Sequence, residues 1–399
     1  MITSSNLSLT LLLFLFFFFS RCHSILDPLD FLALQSIRKS MSDLPGSTFF
    51  SAWDFTSDPC NFPGVYCLGD KVTALNLGDP RAGSPGLSGR LDPALGDLSA
   101  LTELSLVPGR VTGPLPETLT RLTDLRFLAA SKNFLTGRIP DAIASLRQLR
   151  TVDLSYNQLS GQIPPSIGRI PSLSNLILCH NRFTGPVPDL SSTSLVRLDL
   201  KHNDLSGWLS PLPPSLQYLS LSSNRLTGWV DRVLTRLGRL SYLDLSMNRF
   251  TGLIPGTLFS FPMSSLQLQR NLFVGPVHPV DQVSIRTVDL SYNRLSGQIS
   301  PMFVSVENLY LNNNRFTGQV PGSFVDRLIS AGIQILYLQH NFLTGIAINP
   351  TAEIPLSSSL CLQYNCMAPP VQTPSCPVKA GKVKTRPVTQ CGMLGNSGD

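Results

Sequence analysis

Ten asparagines, Asn133, Asn157, Asn181, Asn203, Asn224, Asn248, Asn271, Asn293, Asn314 and Asn341, follow one another at intervals of 24, 24, 22, 21, 24, 23, 22, 21 and 27 residues. Each belongs to the same motif, for which Leu149-Arg-Thr-Val152-Asp-Leu154-Ser-Tyr-Asn157-Gln-Leu159-Ser-Gly161-Gln-Ile163-Pro164 can serve as template. Leucine-like residues fill its first, fourth, sixth and eleventh positions, Asn the ninth, Gly the thirteenth and often Pro the sixteenth. A unit this short cannot bury its apolar face alone and must stack on its neighbours, so the period dictates an elongated solenoid. A chain of 399 residues, which would otherwise suggest two or three domains, is therefore one extended domain.

Within the motif, Leu128, Val152, Leu176, Leu198 and Leu219 alternate with polar residues, the two-residue period of a short strand with one buried face. Stacked repeats align these strands into one long parallel sheet. The turn after each strand leaves inward-facing backbone groups without partners, and an Asn amide can both donate and accept there. The Asn column is thus scaffold. Gly137, Gly161, Gly185 and Gly207 meet the steric demand of the next bend, and Pro140, Pro164 and Pro188 restrain the returning segment. The expected fold is an α/β repeat solenoid, a right-handed superhelix of about 12 repeats, with disulfide-bonded caps at both ends. The expected divisions are 1–24, 25–71, 72–348 and 349–399.

The ends depart from the period. Leu7 to Phe19 is an apolar run too short for a comfortable membrane span and is followed by small residues at Cys22 and Ser24, the pattern of a secretory signal segment. No later stretch approaches the ~20 apolar residues of a membrane helix. Asp27-Pro28 reads as a helix start, with Phe31, Leu34, Ile37, Arg38 and Met41 as the stripe facing the first repeat. Trp53, Asp58-Pro59-Cys60 and Gly64-Val65-Tyr66-Cys67 complete a cap. The first repeat, from Val72, is interrupted by Asp79 to Gly86, expected to form a loop, and the second carries Gly109 in place of Asn. After Asn341-Phe-Leu-Thr-Gly345 the periodicity is expected to end in a Cys- and Pro-rich tail.

In an oxidising compartment the terminal cysteines read as disulfides. Cys60 is expected to pair with Cys67, whereas Cys361, Cys366, Cys376 and Cys391 allow three connectivities. Cys179 is left as a free thiol or an intermolecular bridge. The formal charge is +6, and part of it is the tail cluster Lys379, Lys382, Lys384 and Arg386. That mild, local excess argues for a contact with something acidic, such as a wall polysaccharide, and against nucleic acid.

The form Leu-x-x-Leu-x-Leu-x-x-Asn-x-Leu-Ser/Thr-Gly-x-Ile/Val-Pro, seen at Leu149–Pro164 and Leu173–Pro188, resembles the plant-specific class of extracellular leucine-rich repeats. Trp53 with Asp58-Pro59-Cys60 and Gly64-Val65-x-Cys67 is similar to the N-terminal cap of the same proteins, except that Phe62 stands where their cap usually has a Trp. The resemblance covers roughly residues 27 to 348. The family includes receptor kinases, receptor-like proteins and secreted polygalacturonase-inhibiting proteins, and the chain looks like the secreted, kinase-free branch. Its basic Cys-rich tail differs from the short cap of the inhibitors.

No sequence motif supports catalysis or a cofactor: there is no Gly-x-Ser-x-Gly, no phosphate-binding Gly-rich loop, no His-Glu-x-x-His and no Cys-x-x-Cys. His180, His202 and His340 share one column and read as isolated surface residues too far apart for a common metal. Beyond Asn6-Leu-Ser8 there is no Asn-x-Ser/Thr sequon, Asn349-Pro-Thr being excluded by its proline. The candidate site is the concave sheet face, where the third, fifth, seventh and eighth template positions are expected to meet solvent. Arg197, Lys201, His202, Tyr218, Tyr242, Met247, Gln267, Gln269, Arg270, Tyr292 and Tyr310 form the candidate partner-binding set, because Tyr and Arg dominate interface hot spots. The Asp column of Asp153, Asp199, Asp244 and Asp289 recurs too regularly to be a specific site. The expected function is non-enzymatic recognition of an extracellular protein or peptide, with a receptor kinase ectodomain as one possible partner. Alternatives are inhibition of a microbial wall hydrolase such as polygalacturonase, and attachment to acidic wall polysaccharide through the basic tail.

Overall fold

The computed structural model describes residues 25–78, 86–369, 376 and 385–391. The expected signal segment, the insertion 79–85 and Lys379, Lys382 and Lys384 lie outside the described residues. The backbone of the structure is a 14-stranded sheet that opens with an antiparallel pair, Val65–Leu68 with Lys71–Leu77, and then adds one parallel strand per repeat as far as Ser359–Cys361. Register is strict: Leu176 stands between Val152 and Leu198, and Leu243 between Leu219 and Leu266. Those leucines are fully buried, so a one-residue slip would expose the whole row.

Each repeat also carries a second short strand directly after its Asn, as in Arg182–Gly185, Asp204–Trp208 and Arg225–Gly228, and these pair into a second set of parallel sheets. The sequence reading lacked this layer. Its signal was present in the alternation of the tenth to fourteenth positions, where Leu205 and Leu226 are buried while Trp208 and Arg225 are exposed. Among the described residues the return path is a short 3-10 turn in six repeats, such as Asp141–Ser145 and Pro165–Arg169, and an α-helical turn in two, Asp231–Leu234 and Gly322–Ile329.

The Asn column works as a ladder between repeats. Asn157 Oδ1 accepts from Leu135 N–H (3.0 Å), and its Nδ2 donates to Ala130 O (2.9 Å) of the preceding repeat and to Leu154 O (3.1 Å) of its own. The same bonds recur at Asn224 and Asn314. Gly109 lacks the amide that would reach back to Leu87, and a Cβ there would stand 2.6 Å from Leu87 O, so the close approach of the backbone holds the position to Gly. The next rung is regular, with Asn133 accepting from Val111 N–H.

The ladder continues past the expected end. Asn365, 24 residues after Asn341, accepts from Leu343 N–H and donates to Leu338 O, and the strand Ser359–Cys361 pairs with Ile335–Tyr337. The expectation that periodicity stops after Gly345 is corrected. The last unit is hidden in the sequence because Cys361 and Cys366 occupy its fifth and tenth positions and Pro350 and Pro355 replace the usual connecting motif.

At the other end, Asp27 caps the helix Pro28–Ser40 by accepting from Leu29 N–H and Asp30 N–H, as its position suggested. Leu34 and Ile37 are buried as expected. Met41 is buried too, but in a short strand, Met41–Asp43, paired with Leu87–Arg90. Arg38 is no core residue: its guanidinium lies 4.8 Å above the Phe50 ring. Sequence reasoning missed Asp30, whose fully buried carboxylate accepts from Val72 N–H (2.8 Å) and from Lys71 Nζ (3.3 Å), tying helix to first repeat. Phe62 stacks on Trp53 at 5.5 Å, and Trp53 Nε1 donates to Pro63 O. The Phe therefore serves the cap in place of the usual Trp. Cys60 is bonded to Cys67, and at the C-terminus the pairs are Cys361–Cys376 and Cys366–Cys391.

Candidate binding face on the long sheet

On the open face of the long sheet, in-register strands place each variable side chain directly beside its counterpart in the next repeat. In the third column this builds a continuous stack, with the Arg197 guanidinium 4.0 Å over Tyr218 and Tyr218 lying 4.6 Å from Tyr242 with the rings 7° from parallel. Burial, then the neighbouring Asp244, pushes the Tyr242 hydroxyl up to about 12, and burial then Asp199 raises Tyr218 as well. Both phenols stay neutral donors at any physiological pH.

The fifth column does not face solvent throughout, contrary to expectation. Asp199, Ser220 and Asp244 are all buried. Asp199 is flanked by Arg197 Nη2 (3.4 Å) and Lys201 Nζ (3.8 Å). Asp153, Asp244 and Asp289 fold back to accept from the N–H and hydroxyl of Ser155, Ser246 and Ser291, which makes them turn-formers. Tyr310 belongs to this column and meets Tyr337 edge-on at 5.3 Å, while Gln267 and Gln269 are half-buried in the fifth and seventh columns.

The eighth position is left-handed in repeat after repeat, with φ of 55° at Tyr156, 54° at His202, 55° at Met247, 58° at Arg270 and 55° at Tyr292. Non-glycine residues resist this region. Bonds such as Tyr156 N–H to Cys179 O and His202 N–H to Ser222 O hold them there and turn these side chains along a common edge of the face. Arg270 stacks at 4.3 Å over Tyr292, and Tyr156, His180 and His202 form a stack with centroids 4.1 and 4.2 Å apart. The histidines are therefore not isolated. His180 and His202 stand on adjacent repeats and touch, and His340 meets Tyr364 at 5.1 Å. Burial, reinforced by His202 and Lys201, lowers the His180 pKa. Among the described residues there is no group of three side chains able to hold a metal.

Cys179, unassigned by the sequence, lies within this face as a buried free thiol. Burial and then the Asp199 charge push it up to about 11, so it is a protonated core group and no candidate for an intermolecular bridge. Four buried side-chain atoms have no hydrogen-bond partner among the described residues, Arg197 Nε, Ser220 Oγ, Gln269 Oε1 and Gln339 Oε1, and all four occupy variable positions of this one face.

Of the expected polyanion-binding cluster, only Arg386 lies among the described residues. Arg386 is not a free cation for a polyanion: its guanidinium lies 3.9 Å from the Phe342 ring and 4.5 Å from Tyr364, Nε donates to Asn341 O and Nη1 to Gln390 Oε1. It clamps the last segment onto the final repeat.

Comparison with known proteins matches this architecture. A family model described as leucine rich repeat N-terminal domain covers residues 27–68, and leucine rich repeat models cover 214–273, 148–170, 284–306 and 305–326. The DNA damage-repair/toleration protein DRT100 of Arabidopsis thaliana is 37% identical over 120 residues, 27% of this chain and 31% of the relative. The PEPR1–AtPEP1 crystal structure is similar with a TM-score of 0.68 and 28% identity over 85% of this chain and 52% of that one. The ectodomain of the Arabidopsis thaliana receptor kinase GASSHO1/SCHENGEN3, solved with CASPARIAN STRIP INTEGRITY FACTOR 2, gives 0.59 and 25% over 85% and 47%. The chain thus spans about a third of the first relative and about half of the two solved chains.

Proposed function

We propose that this chain, a leucine-rich repeat protein of the plant ectodomain type, is an extracellular recognition module that holds a peptide on the open face of its long sheet. The observation that carries the reading is that, among the described residues, all four unpartnered buried side-chain polar atoms lie on that face, which also bears the Arg197–Tyr218–Tyr242 stack and the Tyr156–His180–His202 edge. Buried donors and acceptors are normally paired, and a bound backbone supplies both kinds at strand spacing. One similar ectodomain was solved in complex with CASPARIAN STRIP INTEGRITY FACTOR 2, which supports a recognition role here. A stacked scaffold is rigid beforehand, so little ordering cost falls on the protein. Three terminal disulfides favour an oxidising, extracellular setting. The chemistry of this face is recognition, not catalysis.

The test is retention of secreted peptides from plant extracellular fluid on the immobilised protein, read by mass spectrometry. Replacing Tyr218, Tyr242 and Arg270 together by Ala is expected to reduce retention of specific peptides at least about tenfold, as for loss of hot-spot residues. Equal retention by wild type and variant would reject the site.

A further inference from the structure

The second set of sheets carries a feature independent of the open face. At the fourteenth template position, three consecutive repeats present Trp208, Trp229 and Leu253, exposed by 75, 68 and 60% respectively. Two tryptophans so exposed in adjacent repeats have no role in the core. Gly228 and Gly252 leave room for their rings: a Cβ at Gly228 would stand 3.1 Å from Trp208 Cγ, and one at Gly252 3.0 Å from Trp229 Cδ1. Pro186 and Pro276 occupy the same position on either side and extend the stripe with aliphatic surface.

The same strands direct their tenth position outward as well, and there stand Arg182, Asp204, Arg225 and Arg249. Asp204 is taken up by Arg225 at 2.6 Å. Arg182 and Arg249 are exposed and have no ion pair among the described residues. The stripe is thus rimmed by an excess of positive charge, three arginines to one carboxylate.

We propose that this face is a second docking surface, whose occupant is a protein segment carrying acidic residues beside apolar ones. Charge complementarity selects the acidic partner: the arginine row would meet carboxylates while the Trp–Trp–Leu row takes up apolar side chains. Trp and Arg side by side are the composition of interface hot spots, and an exposed apolar stripe with a polar rim marks an interaction site. Three large side chains cover far less than the ~800 Å² that each partner contributes to a standard interface. The patch therefore suits a short segment and not a second copy of the chain. Leu253 and the flanking prolines add apolar surface without a flat ring, which favours side chains over sugar rings as occupant.

The experiment is panning of a random dodecapeptide display library on the full chain, on Trp208→Ala/Trp229→Ala, and on the triple open-face variant Tyr218→Ala/Tyr242→Ala/Arg270→Ala. Oligogalacturonides are the comparison probe. The expected result is a class of clones combining Asp or Glu with Leu, Phe or Trp. These should bind the double Trp variant at least about tenfold more weakly, weaken with added salt and with Arg225→Ala/Arg249→Ala, and bind the open-face variant as the wild type. Because both tryptophans are largely solvent-exposed, the double variant keeps its fold, which circular dichroism checks. Absence of any Trp-dependent clone overturns the proposal. Trp-dependent binding of oligogalacturonides without such clones also overturns it, in favour of a glycan site. Clones of this composition that are lost in the open-face variant and unaffected in the double Trp variant would show that the peptide sits on the long sheet, leaving the first reading intact and removing the second.

Discussion

His180 lies between Tyr156 and His202, each ring within van der Waals reach. A proton on this imidazole must be accommodated away from water and beside Lys201 and a second imidazole, so the folded chain holds its pKa below the ordinary 6.5. The sign follows directly. The unfolded chain takes up the proton first as pH falls, so the contribution of His180 to stability is intact above 6.5 and is lost as the pH drops through that value towards the folded pKa. An NMR titration of the ring should give a midpoint below 6.5, and His180→Asn should flatten the fall in melting temperature on acidification. A midpoint at or above 6.5 would contradict the stack as described. At this scale the sequence spoke clearly only where a residue repeats. The Asn, Gly and Leu columns announce themselves by recurrence, whereas Asp30 and Ser220 occur once and depend on which neighbour the fold brings beside them. The His180–His202 contact is legible from the period, since the two precede consecutive rungs, Asn181 and Asn203, 22 residues apart, and reading the column as isolated residues overlooks it.

The terminal elements answer to different rules from the repeats. The N-terminal cap was legible because Asp27-Pro28 and the paired cysteines are local signals. The C-terminal cap was not, since its strand Ser359–Cys361 replaces part of the motif with cysteines. Cys366–Cys391 closes a separation of 25 residues and carries Arg386 onto Phe342 and Tyr364. Replacing both cysteines by Ser should lower stability by about 3 kcal/mol through loop-closure entropy. Arg386→Ala, which keeps the bond, should cost less, about 1–2 kcal/mol for a partly desolvated cation–π clamp. Urea unfolding of the three proteins measures both, and a larger loss from the single Arg variant would show that the clamp, not the crosslink, holds the cap.

In the molecule as a whole, stability is carried from repeat to repeat by the Asn ladder. Asn224→Ala would orphan Leu205 N–H in the preceding repeat, while Leu200 O keeps its bond from Asn203 Nδ2, at about 1–3 kcal/mol for the buried group left unpaired. Amide exchange at Leu205 should accelerate strongly while the distant cap helix Pro28–Ser40 keeps its protection, because each repeat contacts only its neighbours. Uniform acceleration along the chain would instead indicate a single cooperative unit.

Each rung has a direction. Asn157 serves Leu135 and Ala130, Asn365 serves Leu343 and Leu338, and in every case the amide reaches back to the repeat made before it. During synthesis, which presents the N-terminus first at roughly 5–20 residues per second, a newly emerged turn is therefore unfinished until the following Asn leaves the ribosome. The growing protein always trails one incomplete turn at the exit, and among the described residues the final rung is Asn365, which closes the turn of Asn341 beside the Cys361–Cys376 and Cys366–Cys391 crosslinks.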